Sequence, residues 1–106
     1  MITILRYEIP NAINDIELPI GYEILNVGIA TDDIGRERIS IWCKVDVQTN
    51  YKPYPGGTEI AKFCIFGTGA DMGTFCNFEH KYIGTVQKSN EYAFHVFQVF
   101  NELALH

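Results

Sequence analysis

Residues 36–47, RERISIWCKVDV, alternate apolar and polar side chains along almost their whole length. Ile39, Ile41, Cys43, Val45 and Val47 fall on one side of an extended chain, and Arg38, Ser40, Trp42, Lys44 and Asp46 on the other. A period of two belongs to a strand, because helical faces repeat every 3.6 residues. A strand with a single apolar face must bury that face against another layer, so this stretch calls for a half-buried antiparallel sheet. Trp42 is the exception on the polar side, and it reads either as packing under a loop or as a contact surface.

The rest of the chain is compatible with that requirement. ITILRYEI (2–9) is rich in β-branched and aromatic residues and stops at Pro10, and YEILNVGIAT (22–31) alternates through Leu25, Val27 and Ile29. Asp32-Asp33-Ile34-Gly35 joins residues 22–31 to residues 36–47 as a hairpin turn. Between the first two runs, Pro19 and Gly21 punctuate a connection with room for a short strand at 16–18. Residues 60–69 and 81–88 read as strands around a segment at 71–80 that is irregular or a single helical turn. Residues 91–100, EYAFHVFQVF, follow a Ser89-Asn90 turn and are apolar on both faces, so a central position covered on both sides is expected. Residues 101–106 read as a last helical turn or a fraying end. The predicted fold is therefore one all-β domain over residues 1–106, an antiparallel sandwich or barrel of about six strands with little helix. The two-faced apolar strand also raises an expectation of homo-oligomerisation.

Composition limits the partners. Of 106 residues, 47% are hydrophobic, which argues for a folded domain. The net charge is −5 and the basic residues are scattered, so duplex nucleic acid gains little from phosphate attraction. No apolar run approaches a membrane span, and residues 1–10 lack the features of a secretory leader. Three cysteines cannot all pair within one chain, which fits a reducing cytoplasm.

The segment CIFGTGADMGTFCNFEHKYIGTVQ (64–87) holds the candidate chemistry. Gly67-Thr68-Gly69 follows a strand, as nucleotide loops do, but no helix follows and no Gly-Lys-Ser/Thr is present. The glycines serve a positive-φ turn or bulge, or backbone N–H groups around Gly67–Gly69 form a nest for an anion. In the nest reading Thr68 and Thr85 add hydroxyls, Tyr82 stacks on a base and His95 lines the pocket. Cys64, Cys76, His80 and Cys43 contain no Cys-x-x-Cys pair, and Cys43 and Cys64 sit in apolar strands, so no metal site is expected. No cofactor is expected either. His95 has no readable partner acid and nucleophile, so a non-enzymatic protein is expected. Asp15-Glu17 and Asp32-Asp33 read as solvated acids in connections. Residues 48–59 form a long loop whose Tyr51 and Tyr54, with Trp42, are the candidate protein-contact surface.

FGTG at 66–69, YIGTVQ at 82–87 and FHVF at 94–97 occur in that order, after YEIP at 7–10, IELPIGYEILNV at 16–27 and a Trp-bearing middle strand. This set resembles a family of small proteins of tailed phages and prophages catalogued as a domain of unknown function. The resemblance implies a phage accessory protein acting in the host cytoplasm, and it carries no activity. Relatives commonly place His after Gly-Thr-Gly, where this chain has Ala70. Two roles follow as expectations: capture of a small signalling nucleotide to antagonise host antiviral defence, or blockade of a host protein. A structural or morphogenetic role is the third.

Overall fold

The computed structural model describes residues 1–47 and 57–102, with side chains described up to residue 100. Its elements are β1 (Ile2–Glu8), β2 (Ile13–Pro19), β3 (Glu23–Thr31), β4 (Glu37–Asp46), β5 (Thr58–Gly67), a one-turn 3-10 helix (Phe75–Asn77), β6 (Phe78–Gln87) and β7 (Ala93–Glu102). β4 carries the alternation seen in its sequence. Ile39, Ile41, Cys43 and Val45 are buried, while Lys44 and Asp46 are exposed. β4 is flanked by β1 and β3 in a three-stranded sheet, order β1-β4-β3, and the other four strands form a second sheet, order β2-β5-β7-β6. Every pairing is antiparallel.

The two sheets close on one core of Ile9, Leu18, Val27, Ile41, Val45, Phe63 and Val96 with their neighbours. Of the two expected all-β forms, sandwich or barrel, the fold is thus the sandwich, with seven strands among the described residues. β7 takes the central place expected of it, between β5 and β6.

One strand is longer than the sequence reads. β2 occupies residues 13–19 and pairs with β5 from Ile13↔Cys64 to Pro19↔Thr58. Its inward residues include Asn14, whose polarity hides the alternation. Asn14 is buried because its carboxamide accepts from Asn11 N–H (2.9 Å) and donates to Asn11 C=O (2.6 Å), closing the turn before the strand. Asp15 and Glu17 are accordingly strand residues rather than solvated turn acids. Asp15 pairs with Lys62 (3.0 Å) and Glu17 accepts from Thr58 (2.7 Å) across the β2–β5 ladder.

Asp32 is likewise not a simply solvated acid. It forms the hairpin between β3 and β4: Oδ1 accepts from the N–H groups of Ile34 and Arg36, and Oδ2 from the Nε atoms of Arg36 and Arg38. Those hydrogen bonds, the Arg36 N–H first, hold its carboxyl down at about 2. Glu37, at the start of β4, reaches the other sheet and accepts from the Ser89 N–H and hydroxyl in the β6–β7 turn. At the edge where β3 meets β6 the sheets approach closely. A Cβ on Gly84 would stand 2.4 Å from Val27 Cγ1.

Candidate functional site

β7 has two faces with different neighbours. Val96 and Gln98 point into the sandwich and are buried. His95 and Phe97 lie on the outer face of the four-stranded sheet, where the register sets His95 beside Phe66 of β5 and Thr85 of β6. The segment after β5 folds back over this face. Ala70 N–H donates to Gly67 C=O (3.1 Å) in a turn whose Gly69 takes φ +92°, the region glycine favours. The chain then makes its single 3-10 turn and lays Phe75 on the sheet. The Phe75 ring centroid is 4.8 Å from Phe66, 5.4 Å from Phe97 and 4.8 Å from His80. Tyr82 extends the cluster, 5.5 Å from Phe97. The outer side of β7 is therefore partly covered by its own chain, and His95, Phe97 and Val99 are half-buried there.

Beside these rings runs a chain of hydrogen bonds. Tyr82 Oη lies 2.5 Å from Thr85 Oγ1, Thr85 Oγ1 lies 2.8 Å from His95 Nδ1, and His95 Nε2 lies 2.8 Å from Thr68 Oγ1. Four of the six expected ligand-binding residues form one connected unit, drawn from β6, β7 and the turn after β5. Gly67 and Gly69 shape that turn. In a neutral imidazole one ring nitrogen donates and the other accepts, so the chain runs in either direction. In one direction the Tyr82 hydroxyl proton is left over for a ligand, in the other the Thr68 hydroxyl proton. Both ends are exposed, Tyr82 at 54%.

An irregularity in β6 makes this contact possible. Tyr82 pairs with Phe97 but Gly84 pairs with Val96, so Ile83 is an extra residue in the ladder. In an unbroken strand Tyr82 and Thr85, three apart, would face opposite ways. The bulge places both on the outer face. Gly84 is the sign of it in the sequence, since a glycine inside a strand pattern often marks a bulge or a close approach. Phe66, Phe75 and Phe97, which complete the site, carry no signal beyond ordinary strand composition.

The other expected features are distributed elsewhere. In the turn at 67–70 the Thr68 N–H donates to Ala93 C=O (3.3 Å) and the Ala70 N–H to Gly67 C=O, so these two donors already serve the fold. Trp42 lies on the outer face of the other sheet, packed across Gly28, where an added Cβ would be 3.4 Å from the indole. Tyr51 and Tyr54 fall outside the described residues. Cys43 is in the core, where burial pushes its thiol up to about 11, and Cys64, on the outward side of β5, is buried too and its thiol raised by burial. No group of three or more metal-ligating side chains occurs among the described residues. No helix among them is long and apolar enough to cross a membrane.

A family sequence model described as Domain of unknown function (DUF7352) matches residues 1–104. No curated protein and no solved structure matches the chain.

Proposed function

For this chain, which belongs to the DUF7352 family, we propose capture of a small nucleotide on the outer face of the β5-β7-β6 sheet, without catalysis. The observation that carries the proposal is the exposed Tyr82–Thr85–His95–Thr68 chain bordering the Phe97, Phe75 and Phe66 rings. Hydroxyls and an imidazole offer neutral donors and acceptors to a sugar or base edge. A half-exposed tyrosine ring offers a stacking surface, worth about 1–3 kcal/mol per base. The net charge of −5 disfavours a long polyanion far more than a ligand with one or two phosphates. Among the described residues His95 meets two hydroxyls and no carboxylate, which supports binding over general-base chemistry. The biological setting in this proposal is a phage accessory protein that sequesters a host signalling nucleotide in the host cytoplasm.

Melting temperature with a panel of cyclic and ADP-ribose-type nucleotides tests it. A ligand at about 100 times its Kd stabilises the fold by about 2.7 kcal/mol, several degrees for a domain of this size. Tyr82→Ala and His95→Ala should remove the shift. A shift from no nucleotide, or an equal shift in both variants, overturns the proposal.

A second reading, blockade of a host protein, is favoured by one feature. Ile2 and Ile4 stand exposed on the outer face of the β1-β4-β3 sheet, with Arg6 opposite Trp42 on the same face. A host partner retained by the wild type and lost on Trp42→Ala would support it.

A further inference from the structure

A second cleft lies away from the outer face. Beyond the pinch at Gly84 and Val27, β3 and β6 diverge into a cleft of about 570 Å³. Each strand carries a register shift here, at Ile24/Asn26 and at Tyr82/Gly84. Such irregularities are common beside binding sites because they interrupt pairing and re-aim side chains. Ile24 and Ile83 contribute apolar side chains to a lining that is otherwise largely polar, with Asn26, Glu59 and Lys81 among it. Gln98, only 5% exposed, lines the cleft from the central strand β7, and its Nε2 donates to Tyr22 Oη (2.5 Å).

This pair, a buried carboxamide and a half-buried phenol, is incompletely used. Whichever way the carboxamide is turned, one of its two polar atoms bonds the phenol, and the other has no partner among the described residues. With Gln98 as donor, the phenol proton is also left over. Burial raises the Tyr22 pKa, which keeps that phenol protonated and donating. The pair thus presents a neighbouring acceptor and donor at the bottom of a cavity within the usual volume range of small-molecule sites. On the rim, Glu23 is paired with Lys44 (2.8 Å), whereas Lys81 makes no ion pair among the described residues.

We propose that this cleft binds a nucleobase: a flat, uncharged ring with an adjacent donor and acceptor on one edge, read by Gln98 and Tyr22, with Ile24 and Ile83 against its faces. Tyr82 lines the cleft and also begins the outer-face hydrogen-bond chain. A nucleotide with its base in the cleft therefore directs its sugar and phosphate past Tyr82 toward Thr85, His95 and Thr68. The second half of the ligand rests on nucleotide capture by the outer face, but the claim for the cleft applies to a free nucleoside.

The experiment titrates adenosine, guanosine, cytidine, uridine and their 5′-monophosphates into wild type, Gln98→Leu, Tyr22→Phe and Thr85→Val, by calorimetry or amide chemical shifts. Tyr22→Phe removes a single oxygen, so it keeps the test open if Gln98→Leu folds poorly. At least one nucleoside should bind the wild type, and Tyr22→Phe and Gln98→Leu should each weaken it roughly tenfold, as loss of a buried hydrogen bond does. Thr85→Val should weaken the monophosphate more than the nucleoside. If no nucleoside binds, or if both cleft variants bind as wild type does, the cleft proposal is overturned. Monophosphate binding that then depends on Thr85 alone leaves outer-face capture standing. Nucleoside binding that depends on Gln98 and Tyr22, with no added affinity from phosphate, supports the cleft and overturns its continuation across the outer face.

Discussion

At the scale of single residues, Gly84 has two consequences. It sits where β6 presses against Val27, and a side chain there would enter the space of Val27 Cγ1 at 2.4 Å. Val27 is buried and β-branched, so it has few rotamers with which to yield. Gly84→Ala gains about 0.5–1 kcal/mol from a stiffer unfolded chain, but overpacking of a core typically costs about 1–3 kcal/mol. The net expectation is a loss of about 1–2 kcal/mol. A denaturant titration measures it, and Val27→Ala in the same chain should return part of the loss. An unchanged midpoint for Gly84→Ala would show that the close approach does not limit the fold. Gly84 also follows the extra residue Ile83, which brings Tyr82 and Thr85 to one face. The six residues expected to bind a ligand stood out singly in the sequence, the glycines because they are uncommon inside strands and His95 because aromatic residues flank it. Their connection was not legible, since strand parity assigns Tyr82 and Thr85 to opposite faces until the bulge is known.

At the scale of elements, the alternation in β4 and the two-faced apolarity of β7 were enough to place both strands, one half-buried and one central. β2 was only partly legible because Asn14 occupies a core-facing position and satisfies itself through a local turn. The excursion between β5 and β6 was legible as irregular, but not as a lid. Its role depends on Phe75, which reaches the outer face through a turn too short to show a period. Phe75 is 8% exposed and touches rings from β5, β6 and β7. Phe75→Ala should therefore destabilise the protein by about 3 kcal/mol, the lower end for a buried aromatic. It should also expose Phe66 and Phe97, raising the binding of a hydrophobic dye to the native state. A loss below about 1 kcal/mol would mean that the segment only drapes over the sheet.

At the scale of the whole molecule, the carboxylates that tie turns and sheets together set the response to acid. Asp32 closes the β3–β4 hairpin with a carboxyl at about 2, against an ordinary value of 3.8. Glu37 joins the two sheets through Ser89, whose hydroxyl and N–H hold its carboxyl below the ordinary value, and Lys44 does the same for Glu23. A carboxyl depressed in the native state adds stability that is fully present above the unfolded-state pKa. That stability is lost as pH falls through the native pKa. The melting temperature should therefore be flat with respect to these three groups at neutral pH and begin to fall as the unfolded glutamates take up protons below about pH 5. It should keep falling toward pH 2, where Asp32 is the last of the three to protonate. Glu37→Gln keeps an acceptor for Ser89 but removes the titration, so it should flatten the upper part of the curve. Asp32→Asn keeps acceptors for the Ile34 and Arg36 N–H groups but removes the charge facing Arg36 and Arg38, so it should flatten the lower part and lower the neutral-pH melting temperature. The two effects should add, because the groups share no partner: Asp32 is bonded within the β3–β4 hairpin and Glu37 by Ser89 of the β6–β7 turn. A wild-type curve that is flat from pH 7 to pH 2, or variants that fall in parallel with it, would show that these contacts do not hold the sandwich together.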